Sequence, residues 1–239
     1  MNRQSNHQHG FSLIELAIVL VIIGLLIGGG IVTLQTATER QQRNEQRQQM
    51  REIRDALYGY AMSRRHLPCP DEDSDLNGLE DRNDGECAVT EGALPWATLG
   101  LGSRDAWGNR LRYHVHGTYA EAPDELTGAM AFGLDPEPNI DLAVYERYEN
   151  DDLIAEDIPA VVVSYGPDGA RIWTDGGFFC PGSGQGLSRE ARENCNSASA
   201  VFYDPGYEVD DGDGGFRHML MWLSEPVLKS RMIEAGHLP

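Results

Sequence analysis

Asp73-Ser74-Asp75-Leu76-Asn77-Gly78 sets three oxygen-bearing side chains at alternate positions ahead of a glycine. Alternate residues of such a loop turn their oxygens to one side, and glycine permits the sharp bend that follows, which is how a calcium loop opens. Further along, the Leu79 carbonyl and Asp81 continue the series, and Asp84 falls at the twelfth position of the pattern. The candidate calcium ligands are therefore Asp73, Asp75, Asn77, Leu79, Asp81 and Asp84. The usual residue at the closing position is glutamate, one methylene longer, and no flanking helices are evident. The expectation is an isolated calcium loop, against the alternative of a solvated acidic turn.

Cys69 and Cys87 bracket that loop, and Cys180 and Cys195 bracket a second one. Pairing each couple locally is the economical reading, because both loops are short and rich in turn formers. Four cysteines allow three connectivities, and four reduced, buried thiols of a cytosolic protein form the alternative. Other chemistry-bearing residues do not assemble into a pattern. His114 and His116 alternate on a strand and read as an exposed face, since no third ligand stands at zinc spacing. Pro181-Gly182-Ser183-Gly184-Gln185-Gly186 lacks the Lys-Ser/Thr of a phosphate loop, and Ser164 sits in no Gly-x-Ser-x-Gly turn. No catalytic constellation emerges, so the chain reads as a non-enzyme.

Charge narrows the partners. The net charge is -19, and residues 66–239 hold 33 of the 38 acidic side chains but 11 of the 19 basic ones. Such a field repels phosphate backbones, which argues against nucleic acid, and attracts divalent cations.

Leu16 to Leu34 is free of charge and rich in Leu, Ile and Val, long enough as a helix to span a hydrocarbon core of about 30 Å. The preceding Met1–Gly10 carries a single arginine, Arg3, and no small-x-small cleavage site follows the apolar run, unlike a secretory signal. Gly10-Phe11-Ser12-Leu13-Ile14-Glu15-Leu16 resembles the processing site of type IV prepilins and type II secretion pseudopilins. The resemblance implies that a prepilin peptidase cuts after Gly10 and methylates the new N-terminus at Phe11. It also implies that Glu15 neutralises the terminal amine of a neighbouring subunit; the alternative is a carboxylate snorkelling to the headgroups. On this reading residues 1–10 are a leader, 11–37 a transmembrane and assembly helix, 38–65 a helical stalk and packing helix, and 66–239 an acidic extracytoplasmic domain.

Arg40, Arg43, Arg47, Arg51 and Arg54 follow the span, so a count of flanking positive charge would place the domain inside the cell. The resemblance decides otherwise and implies a single inner-membrane pass with the domain in the periplasm, where disulfides persist. Asp105-Ala106-Trp107-Gly108-Asn109 also resembles the Asp-Pro-Trp-Gly-Asn turn of major pseudopilins, with alanine for proline. Because those proteins hold calcium near their C-terminus, Glu208-Val209-Asp210-Asp211-Gly212-Asp213 competes with the first acidic loop.

The elements follow from pattern. Thr38 to Gln49 is polar all round and reads as a solvated stalk, after which Met50, Ile53, Leu57, Tyr60 and Ala61 recur at the spacing of one buried helix face, up to a stop at Pro68. Gly24 and Gly28-Gly29-Gly30 weaken the upper helix. Residues 66–105 read as a long loop. Leu111, Tyr113 and Val115 alternate as a strand, Ala160–Ser164 reads as a buried strand, Met219–Leu223 is a further apolar run, and Pro226–Ala235 reads as a helix closed by Gly236. The fold class is α+β: a long N-terminal helix, transmembrane in its upper part, packed pilin-like on an antiparallel sheet with disulfide-stapled loops. The function expected from the resemblance is a structural subunit, a minor pilin or a pseudopilin, with other such subunits as partners. A membrane-anchored calcium-dependent binding or adhesion protein outside any filament is the alternative.

Overall fold

The structure, a computed structural model, describes residues 12–72, 76–135, 141–148, 152–174, 177–182, 186–196, 200–207 and 215–239; for 25–36 it describes the backbone alone. The first element, α1 (Leu13–Arg64), is helical without interruption, the glycines notwithstanding. It ends where Arg65 adopts a left-handed backbone, φ 69°, two residues before the Leu67-Pro68 step that disfavours helix. The chain divides into two compact units, residues 1–44 and 45–239, and α1 contributes to both.

After the helix come the hairpin β1 (Arg82–Asn83) and β2 (Glu86–Cys87), then β3 (Glu91–Ala93), β4 (Arg112–Val115), the turn α2 (Gly117–Ala120), β5 (Ala143–Tyr145), β6 (Leu153–Ala155) and β7 (Ala160–Ser164). The turn α3 (Gly169–Ile172), the hairpin β8 (Trp173–Thr174) and β9 (Gly177–Phe178), α4 (Arg189–Glu193), β10 (Val201–Tyr203), β11 (Met219–Trp222) and α5 (Glu225–Glu234) complete the chain. The stretch expected as one long loop thus contains three short strands. Its hairpin turns at Asp84-Gly85, both with positive φ, the backbone that a tight two-residue turn requires.

The main sheet is antiparallel throughout, in the order β11-β7-β4-β3. One face takes the lower part of α1: Met50, Ile53, Leu57 and Ala61 pack with Leu111, Tyr113, Val115 and Val162, and α5 adds Leu228 and Met232. Tyr58 joins this core, whereas Tyr60, expected inside, is half-buried. The other face is covered too, by a second core of Val161, Val163, Tyr165, Ile172, Phe202 and Phe216. Sheltered on both sides, β7 is buried along its whole length, which is why it reads as an unbroken apolar run. A smaller sheet, β10-β5-β6, belongs to this second layer and pairs β10 with β5 in parallel.

The second layer corrects one expectation. His114 is not on an exposed face: its ring meets Phe202 edge-on at 5.8 Å, and burial lowers its pKa to about 4. Another correction concerns the polar stretch above the core. Gln46 is fully buried, its Oε1 accepting the Ala106 N–H at 2.9 Å, and Gln49 donates to the Arg104 carbonyl at 2.7 Å. An amide both donates and accepts, so glutamine can be buried against a turn where a charged residue would resist it.

Candidate functional site

At the start of α1, Ser12 serves as the N-cap. Its carbonyl accepts the N–H groups of Glu15 and Leu16 at 3.1 and 3.2 Å, and its Oγ accepts the Glu15 N–H at 3.3 Å. Ser12-Leu13-Ile14-Glu15 is therefore the Ser-x-x-Glu spacing of a capping box, with the Glu15 carboxylate in the first turn, where the helix dipole favours negative charge. Leu13, Ile14, Leu16, Ile18, Val19, Leu20, Val21, Ile22 and Ile23 follow, each between 44% and 90% exposed. An apolar surface of this extent on a helix marks a contact with lipid or protein. Among the described residues no helix is long and apolar enough to cross a membrane. The expected span over Leu16–Leu34 has its helical backbone, while part of it falls on residues 25–36, whose side chains lie outside the description. Gly10 and Phe11, the expected cleavage and methylation positions, also lie outside the described residues.

The acidic loop is only partly in view, because Asp73 and Asp75 lie outside the described residues, as does the competing stretch Glu208–Asp213. Asn77 Oδ1 accepts the Leu79 N–H at 2.7 Å, and Asp81 Oδ2 accepts the Glu72 N–H at 2.6 Å. These bonds order the loop. Asp84 stands apart in role, at the tip of the β1–β2 hairpin. The donor set is hard oxygen, as calcium prefers. Among the described residues, no three His, Cys, Asp or Glu side chains are grouped to hold a metal ion.

Both expected disulfides are present: Cys69–Cys87 with Cα atoms 5.2 Å apart, and Cys180–Cys195 with Cα atoms 5.5 Å apart. Beside the first lies a polar network that the sequence analysis did not find. Glu80 accepts the Tyr60 hydroxyl, the Cys69 N–H at 3.0 Å and Arg82 at 3.0 Å. Arg82 in turn donates to the carbonyls of Gly85 and Ala120 and meets His66 Nδ1 at 3.0 Å. Burial alone would raise the Glu80 carboxyl, but these donors outweigh it and hold its pKa below the usual value. Burial, with the bond to Glu80, pushes the Tyr60 phenol up, and burial lowers His66. The network ties the cysteine-closed loop to α1. Its signal in sequence is weak, since Tyr60, His66, Glu80 and Arg82 share no periodicity.

The turn Asp105–Asn109 enters β4 as expected. Asp105 Oδ1 accepts the N–H groups of Trp107 and Asn109 at 3.0 and 2.8 Å, and its Oδ2 accepts the Ser164 hydroxyl at 2.7 Å. Asn109 donates to the Gly166 carbonyl at 2.8 Å. At Gly166, φ is +56°, and a Cβ there would collide with the Arg217 carbonyl, so only glycine fits. Ser164 and Asp105 thus pair without a histidine partner and hold the turn to β7. His218 is a further buried group: its ring nitrogens have no hydrogen-bond partner, it packs against Tyr165 and Phe216, and burial lowers its pKa to about 3. Among the described residues around Asp105, Ser164 and His218, no nucleophile, base and orienting group are hydrogen-bonded together.

Compared with known proteins, the chain carries the prokaryotic N-terminal methylation motif, matched over residues 5–31, which is the hallmark of type IV pilin-like prepilins. The match covers the N-terminal segment alone. No curated protein and no solved structure matches the chain.

Proposed function

We propose that the protein is a structural, non-enzymatic subunit of a type IV pilin-like filament, a minor pilin or the pseudopilin of a type II secretion system. The observation that carries the reading is a coincidence of three features in one short segment. The methylation motif overlies the Ser12-capped start of α1, Glu15 stands in the first turn, and the exposed apolar side chains from Leu13 to Ile23 follow at once. A peptidase cutting after Gly10 would leave Phe11 as the terminus, one residue ahead of the cap. The new amine would then pair with the Glu15 carboxylate of a neighbour, while the apolar surface enters the inner membrane and later a bundle of like helices. The Glu15 carboxylate has a use in such a bundle; in a simple lipid anchor it costs roughly 2.5–3.5 kcal/mol wherever it is carried to mid-bilayer.

The remainder of the proposal concerns place and metal. The domain lies in the periplasm, in keeping with two disulfides, and calcium is held by Asp73, Asp75, Asn77, the Leu79 carbonyl, Asp81 and Asp84. Mass spectrometry of the mature protein tests the central claim. The expected N-terminus is methylated Phe11, and a chain that keeps residues 1–10 overturns the reading.

A further inference from the structure

We propose that the outer edge of β6, an apolar strand bracketed by acids, is a docking site for an extended apolar segment of a partner protein with basic residues at both ends, which adds to the smaller sheet as a fourth strand. The order β10-β5-β6 leaves β6 at one end of that sheet. The edge at the other end is closed: the Asn194 side chain donates to the Tyr203 carbonyl and accepts the Tyr203 N–H, both at 2.7 Å. Among the described residues β6 has no such cover. Glu146 N–H donates to the Asp152 carbonyl at 2.8 Å, which makes these two a hydrogen-bonded pair. Leu153, opposite Tyr145, is then a non-hydrogen-bonded position, and in keeping with this the Tyr145 carbonyl accepts from Asp204 on the far side of β5. The Leu153 N–H and C=O therefore face the open edge, and no described residue bonds to them there. An edge of this kind is a template for a further strand.

The side chains of β6 and its flanks define the incoming strand. A bulge between Val144 and Tyr145 leaves Ile154 as an extra residue without a partner on β5. Leu153 and Ile154 are 46% and 44% exposed, two large apolar side chains side by side in water. Directly outside the strand stand Asp152 at one end and Glu156 and Asp157 at the other, all exposed. Among the described residues no cation pairs with any of these three carboxylates. Arg82, Arg112, Arg171, Arg217 and Lys229 are matched to Glu80, Glu91, Asp168 and Glu225 instead. A second copy of β6 would bring the same acids to the edge and set like charges against one another, which disfavours self-pairing. A segment with an apolar centre and Lys or Arg at both ends fits. Its backbone bonds to Leu153, its apolar side chains cover Leu153 and Ile154, and its cations meet the flanking carboxylates, which selects this partner over an acidic one.

Full-length protein in non-ionic detergent micelles can be titrated with a labelled peptide, Lys-Lys-Val-Ile-Val-Lys-Lys. Binding is expected, weakening as salt rises, with slowed hydrogen exchange at the Leu153 amide. Asp152→Lys combined with Glu156→Lys, two surface changes, is expected to weaken it by about tenfold or more, whereas Glu121→Lys with Glu125→Lys, the same change of charge at exposed residues outside the strand, alters it by less than about twofold. No binding, equal binding of a peptide with Glu in place of Lys, equal affinities of the two double variants, or binding that leaves the Leu153 amide unprotected would overturn the proposal. So would protection of that amide by self-association alone, seen as a dimer in ultracentrifugation, since the occupant is then a second copy of this chain.

Discussion

The helix α1 carries two apolar surfaces of opposite fate. Met50, Ile53, Leu57 and Ala61 are 5% exposed or less, covered by the chain's own sheet; from Leu13 to Ile23 the apolar side chains stand open. Residue type alone does not account for this, because leucine and isoleucine occur on both surfaces. What differs is spacing. The lower residues recur every three or four positions and leave a polar flank for water, so one sheet face satisfies them. The upper residues are apolar all round, and no single flat surface can cover a helix on every side. Only a surrounding medium or a ring of neighbours can.

Changes at the two surfaces should therefore have separable effects, and four experiments probe that separation. Glu15→Val should abolish or severely reduce incorporation into filaments while membrane insertion and the domain's melting temperature stay unchanged; assembly at the parent level removes the proposed role of the carboxylate. Leu57→Ala should do the reverse. It empties part of a fully buried position and is expected to destabilise the domain by about 2–5 kcal/mol, read by denaturant unfolding, with N-terminal processing intact.

A smaller effect concerns acid. His218 is buried with its folded-state pKa lowered to about 3, against about 6.5 when unfolded. Above pH 6.5 both states are neutral and nothing is lost. As pH falls below that, the unfolded state takes up a proton that the folded state refuses, so stability drops by up to about 1.4 kcal/mol per pH unit until the folded pKa is reached. His218→Leu should flatten the domain's stability between pH 6.5 and 4 without altering assembly; an unchanged pH profile assigns the acid sensitivity elsewhere, His114 being the next candidate. The smallest expected effect is calcium's. At ten times its dissociation constant a single ion adds about 1.4 kcal/mol, and this gain should vanish when Asp73 and Asp75 are both changed to alanine. Calorimetric titration decides it, since an absence of calcium heat in the parent protein rules the loop out.

The N-terminal segment was legible in the sequence because its information is local. Gly10, Phe11, Ser12 and Glu15 lie within six residues, and a cap or a charge-free run is visible wherever those residues stand together. The same holds for the helix face from Met50 to Ala61, the buried strand Ala160–Ser164, the closing helix before Gly236 and the two disulfides, each joining cysteines fewer than twenty residues apart. What only the tertiary structure decided depends on residues far apart in the chain. The second core covers His114 because Phe202 arrives from elsewhere, and Gln46 is buried because a turn sixty residues later presents an N–H to it. Tyr60, His66, Glu80 and Arg82 likewise converge without any shared pattern. Burial of a polar side chain is set by the partners that reach it, and those partners are chosen by packing, which no local spacing encodes.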